Sequence, residues 1–179
     1  SYHYSDGRFL FGIGSGWLKE ETELFGVNFS DRVKVMQESI EAMKSLWMDD
    51  ESEYSGEFIK FPPVISRPKP SQKPHPPIYI GGKAKQVFER VVKWGNGWMP
   101  NRVTPEEVEK GRKELNRIAL ENSKNPKDFS ISVFGQPPDK ELLHAFEEAG
   151  ADRIMIRFQG TSESETLKAL EDISRNILS

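Results

Sequence analysis

Gly7-Arg8-Phe9-Leu10-Phe11-Gly12-Ile13-Gly14-Ser15-Gly16-Trp17 reads as a buried strand that breaks into a glycine-rich turn and then a helix. Pro76-Pro77-Ile78-Tyr79-Ile80-Gly81-Gly82 repeats the event: an apolar strand, paired glycines, then a helical pattern. Glycine at a strand end lets backbone N–H groups approach a ligand without an intervening side chain. Two such ends in one chain predict parallel strands that present loops to a shared anionic ligand.

Outward from these two strands the chain alternates strand and helix. Ser30 or Asp31 offers an N-cap, and Val33, Met36, Ile40, Met43 and Trp47 then recur at helical spacing. Glu53 to Phe61 contains a Ser-Gly turn between short β-prone pieces, which predicts a hairpin. Seven prolines between Pro62 and Pro77 make an extended, ordered connector into the strand Ile78–Ile80. A helix is expected over Lys83–Trp94 with Val87, Phe88 and Val91 inward, followed by a short strand near Gly97–Pro100. Thr104-Pro105-Glu106-Glu107 supplies an N-cap, a proline at the first helical position and a capping box for a helix to about Asn122. Further strands are expected at Phe129–Phe134 and Arg153–Phe158, with a helix from Asp139 to Ala149 between them. Ser162 and Glu165 form another capping box, for a last helix whose face is marked by Leu167, Leu170, Ile173 and Ile177.

Five consecutive β-α units imply parallel strands with right-handed crossovers. The alternatives are an open doubly wound sheet and a (β/α)8 barrel. A complete barrel needs about 250 residues, and the density of elements in these 179 residues matches a barrel lacking its first three units. The expected fold is therefore α/β, a partial TIM barrel forming a single incomplete domain over residues 1–179.

Composition narrows the function classes. A net charge of −3 gives no broad attraction to nucleic acid or an anionic membrane. The absence of cysteine excludes disulfides, thiolate catalysis and Cys-based metal sites. No apolar run approaches the roughly 18 residues of a membrane span, and cytoplasm is the default location. His3, His75 and His144 lack metal-ligand spacing.

Ser5-Asp6-Gly7-Arg8-Phe9, Gly12 to Trp17, Glu20-Glu21 and Phe25-Gly26 together resemble the central block of the luciferase-like monooxygenases. Further matches follow in family order: Arg32, Glu38 through Leu46-Trp47, Tyr54-Ser55-Gly56-Glu57-Phe58, Pro70 through Gly82, Gly95 to Pro100, and Ala149 to Arg153. Asn96 stands where the family usually has aspartate. The resemblance implies that the five strands are strands four to eight of the family barrel and that the N-terminal three units are absent. It implies an oxidoreductase acting on a small organic substrate, either a flavin monooxygenase using FMN or a deazaflavin-dependent reductase or dehydrogenase. A catalytically incompetent fragment that binds no cofactor, stabilised as a homo-oligomer covering its open sheet edges, is the third reading.

The resemblance also supplies site candidates. Gly81 and Gly82, with Lys83 beside them, are expected at the cofactor phosphate; a tight turn packed under a loop is the plain alternative. Gly14 and Ser15 are expected beside the flavin or deazaflavin ring, against simple steric relief in a crowded barrel. Arg102 lies where some deazaflavin-using relatives place a phosphate-binding lysine, against a solvated loop cation. Gly12, Gly14 and Gly16 fit a dinucleotide fingerprint poorly, because their spacing is G-x-G-x-G. Glu20 and Glu21 read as a solvated first helical turn, the Glu/Lys-rich stretch Glu106–Lys127 as a solvated helix face, and Trp17, Trp47, Trp94 and Trp98 as core and rim packing.

Overall fold

A computed structural model describes residues 5–158, 160 and 162–177. His3 lies outside the described residues. The elements run β1 (Phe11–Ile13), α1 (Lys19–Leu24), α2 (Arg32–Met48), β2 (Ser52–Ser55), β3 (Lys60–Val64), β4 (Ile78–Gly81), α3 (Val87–Trp94), β5 (Gly97–Met99), α4 (Pro105–Glu121), a single 3-10 turn (Pro126–Asp128), β6 (Ser130–Gln136), α5 (Lys140–Glu148), β7 (Arg153–Ile156) and α6 (Glu163–Asn176). The expected β-α alternation is present, with β2 and β3 set apart as an antiparallel hairpin. The other five strands form one parallel sheet in the order β1-β4-β5-β6-β7. The chain divides into two compact units, residues 1–80 and 81–179.

In the first unit, β1 pairs with β4 in register, Phe11 opposite Ile78 and Ile13 opposite Ile80. Here the expectation of a buried strand is corrected. β1 is only three residues long and half-exposed, because it has a partner on one side only. Packing of α2 rests on Met36, Ile40 and Ala42, all buried. Its polar side is not idle. The Glu38 carboxylate accepts hydrogen bonds from the backbone N–H groups of Glu57, Phe58 and Ile59 at 2.9, 2.8 and 2.9 Å and so closes the β2–β3 turn. Desolvation acts to raise its pKa, but those three donors and nearby Lys34 outweigh it and hold the carboxyl below its ordinary value. The Tyr54 hydroxyl donates to Glu41 at 2.7 Å; desolvation first, then that carboxylate, pushes the phenol up to about 12.

The second unit has a core of aliphatic and aromatic side chains, among them Val91, Val108, Leu115, Ile131, Val133 and Phe146, all fully buried. The capping box predicted for α4 is formed: Thr104 accepts from the Glu107 N–H, and the Glu107 side chain accepts from the Thr104 N–H at 2.8 Å. Asp139 and Ser162 cap α5 and α6 through their side chains.

Two expectations are corrected in this unit. Helix α3 starts at Val87, not Lys83: Gln86 is its N-cap, without a side-chain cap bond, and the Gln86 carbonyl accepts from the Arg90 N–H at 3.2 Å. The apolar side of α6 is only partly covered: Leu167 and Leu170 are exposed, whereas Ile173, and Ile177 just past its end, are half-buried. Arg112 is not part of a solvated face. Its guanidinium donates to the carbonyls of Phe129 (2.8 Å) and Gly150 (2.9 and 3.2 Å) and pairs with Asp152, which itself accepts from the Ile131 N–H at 2.7 Å. These contacts tie α4 to the N-terminal ends of β6 and β7, where a barrel concentrates stability and not chemistry.

Of the tryptophans, Trp94 and Trp98 are buried. Trp47 is half-buried and meets the Phe11 ring edge-on with centroids 5.7 Å apart. Trp17 departs from the packing role expected of it and is 83% exposed.

Candidate functional site

The C-terminal ends of β4 and β5 carry the phosphate candidates. Gly82 follows β4 with φ +107°, a conformation that L side chains rarely adopt, and a Cβ there would meet nothing within 4 Å. Its carbonyl is held from below by the indole N–H of Trp98, which donates at 2.8 Å. That anchor is itself tightly seated. The Trp98 and Phe88 rings meet edge-on with centroids 4.9 Å apart, and both press on Gly111 of α4. A tertiary contact therefore sets the conformation of the Gly81-Gly82 turn, which strand-and-turn reading of the sequence does not reveal.

Lys83 and Arg102 are brought together. The Lys83 ammonium donates to the Arg102 carbonyl at 2.9 Å and lies 3.5 Å from a Glu107 carboxylate oxygen. Arg102 has φ +50°, unusual for a residue with a side chain. Its guanidinium is exposed, with no hydrogen-bond or ion-pair partner among the described residues. The Glu107 carboxyl is held below its ordinary value, first by the Thr104 backbone N–H and, against desolvation, by Lys83 as well. The Lys83 ammonium, held by the Arg102 carbonyl and paired with Glu107, thus stands in the residue next to an open backbone turn, a cation of the kind that suits an anion. Because α3 begins at Val87, its first turn is displaced along the chain from Gly82.

Gly14 and Ser15 belong to the first unit, past the end of β1. A Cβ at Gly14 would meet nothing within 4 Å, so there is room here of the kind a planar ring or a substrate needs. Both line a hollow of about 260 Å³ together with Phe25, Arg32 and Met36. Glu20 and Glu21 are exposed in the first turn of α1. His75 is half-buried between prolines ahead of β4, and His144 stands on α5 within 3.6 Å of Glu147 and 3.5 Å of Glu148. Among the described residues no helix is long and apolar enough to cross a membrane, and no group of three or more His, Cys, Asp or Glu could hold a metal ion. Sequence reading passed over Trp98, Gly111 and Arg32 as site residues. Only the indole in a Gly-x-Gly-Trp stretch gave any signal, and it pointed to packing.

The family model described as luciferase-like monooxygenase matches residues 2–138. An uncharacterized protein of Mycobacterium tuberculosis is 37% identical over 108 residues, 60% of this chain and 37% of its own length. The FMNH2-dependent dimethylsulfone monooxygenase of Pseudomonas putida is 33% identical over 97 residues, 51% of this chain and 27% of that protein. The chain thus spans about a third of the length of these curated relatives. Among solved structures, an F420-dependent secondary alcohol dehydrogenase in complex with an F420-acetone adduct superposes with a TM-score of 0.67 at 16% identity, covering 84% of this chain and 64% of that one. At that identity the likeness is one of fold.

Proposed function

Because the chain belongs to the luciferase-like monooxygenase family, we propose that it carries the phosphate end of a flavin site in a monooxygenase acting on a small organic substrate. The relatives above 30% identity with a named activity favour flavin over deazaflavin: one is FMNH2-dependent and another a flavin-dependent trigonelline monooxygenase. The deazaflavin proteins resemble this chain in fold at 16% identity.

The observation that carries the proposal is the cluster at the ends of β4 and β5. Open space where a Gly82 side chain would stand and two cations at Lys83 and Arg102 fit a phosphate monoester. Trp98 holds the turn so that the backbone need not reorganise on binding. Lys83 remains fixed on the Arg102 carbonyl while its charge faces the ligand, and Arg102 adds its free fork of donors. When bound, the flavin supplies the electrons for oxygen chemistry, and the chain's own part is to bind and orient it.

The test compares FMN, riboflavin and deazaflavin coenzyme by fluorescence quenching on the same protein. FMN should bind roughly ten-fold tighter than riboflavin, and Lys83→Ala or Arg102→Ala should erase that difference, about 1.4 kcal/mol. Equal affinity for FMN and riboflavin would refute the phosphate assignment. Selective binding of the deazaflavin would move the protein to the reductase or dehydrogenase branch.

A further inference from the structure

The hollow beside Gly14 and Ser15 contains a feature that phosphate binding at the β4 and β5 ends does not use. Arg32, the first residue of α2, is the one charged side chain among its lining residues. Nη1 of Arg32 donates to the Phe29 carbonyl at 2.6 Å, and its guanidinium lies 3.7 Å over the Phe29 ring. Its Nε is buried and has no hydrogen-bond partner. No carboxylate pairs with Arg32 among the described residues, although Arg67, Arg112, Arg117 and Arg175 each have one. A guanidinium taken partly out of water without a counter-charge is unfavourable unless something completes it. Phe29 stacks one face and occupies one nitrogen, which leaves the Nε side of a rigid donor fork oriented but unmatched.

The remaining walls say what else the ligand must be. Ile13, Val27, Val35 and Met36 are apolar, and Phe25 stands at the mouth 83% exposed. Ser15 supplies a hydroxyl with no partner among the described residues. At about 260 Å³ the hollow is at the small end for a ligand site. We propose that it binds a small organic anion, a carboxylate or sulfonate with an apolar body, its oxygens on Arg32 and Ser15 and its body against Met36 and Phe25. Calling that ligand the substrate rests on the function proposed above; the binding itself does not, and needs no flavin.

The experiment titrates the protein, free of flavin, with benzoate and with benzyl alcohol as the uncharged match, by calorimetry. Benzoate should saturate and bind at least ten-fold tighter than benzyl alcohol, and Arg32→Met should remove that preference. Because Arg32 also stacks on Phe29, folding of the variant is checked by circular dichroism. Gly14→Val provides an independent variant: it fills the open space at Gly14 and leaves Arg32 in place, so benzoate affinity should fall ten-fold or more. Equal binding of the two probes, absence of saturation, or wild-type affinity in folded Arg32→Met or in Gly14→Val would overturn the proposal. So would loss of benzoate binding on Lys83→Ala with retention in Arg32→Met, which would locate the anion at the phosphate cluster. Failure of FMN to discriminate against riboflavin leaves this result unaffected, so the two readings fail separately.

Discussion

Replacing Gly111 with alanine tests whether the seat of Trp98 is as tight as the contacts indicate. A Cβ built there would fall 2.5 Å from Trp98 Cζ3, 3.0 Å from Cη2 and 3.1 Å from Phe88 Cζ, all below a normal van der Waals separation. Two effects oppose each other. Alanine in a helix interior is favoured over glycine by about 1 kcal/mol. Overpacking a well-filled core costs about 1–3 kcal/mol, and the upper half of that range applies, because Trp98 is 3% exposed and tethered to the Gly82 carbonyl. The net expectation is a loss of roughly 1–2 kcal/mol, a fall in Tm of about 3–6 °C for a chain of this size. Thermal unfolding followed by circular dichroism measures it. Trp98→Phe supplies the control: with the larger ring gone, Gly111→Ala should become neutral or stabilising in that background. A Gly111→Ala protein as stable as its parent would refute the reasoning, since it would mean that the indole can move aside freely. The same variant should also weaken any preference for FMN over riboflavin, because a displaced Trp98 no longer holds the Gly82 turn.

Arg112→Met should lower stability by about 2–3 kcal/mol in urea denaturation, because it leaves the carbonyls of Phe129 and Gly150 and the Asp152 carboxylate without their donor; Arg112→Lys should recover less than half, lacking the planar fork. Glu38→Gln should loosen the β2–β3 turn, seen as faster amide exchange at Phe58 and Ile59 with the rest of the unit protected as before. The pH dependence follows from the lowered carboxyl pKa. Its stabilising contribution is fully present above the ordinary carboxylate value of about 4.5, and is lost as pH falls from there through the lower folded value. Protection of those two amides should drop across that acidic window in the parent protein and stay flat in Glu38→Gln.

The elements legible without coordinates were those written in local patterns. The capping box of Thr104 and Glu107, the N-cap Ser162 and the apolar run into Gly81-Gly82 each involve neighbours within a few residues, so their chemistry is visible in the order of side chains. Lys83 and Arg102 were named from a resemblance, and the fold brings them within one hydrogen bond. What local reading got wrong was the environment of a correctly placed element. β1 is half-exposed although its residues are apolar, and α6 leaves Leu167 and Leu170 uncovered although their spacing is helical. Periodicity reports which face is apolar, not whether anything packs against it.

Sequence by itself determined the class of fold, because alternating strand and helix signals with right-handed crossovers admit few arrangements, and its ordered motifs carried the family. Tertiary structure alone decided which polar residues matter. Arg112 read as one more charge on a solvated helix, and Glu38 and Arg32 entered only as matches to a family motif, with no role attached. Arg112 reaches partners 17 to 40 residues away, and Glu38 reaches its turn 19 to 21 residues on. Arg32 is distinguished by the absence of a counter-charge in a hollow that β1 and α2 form together. Interactions across that separation leave no periodic mark in the chain; they exist only once the fold has brought the partners together.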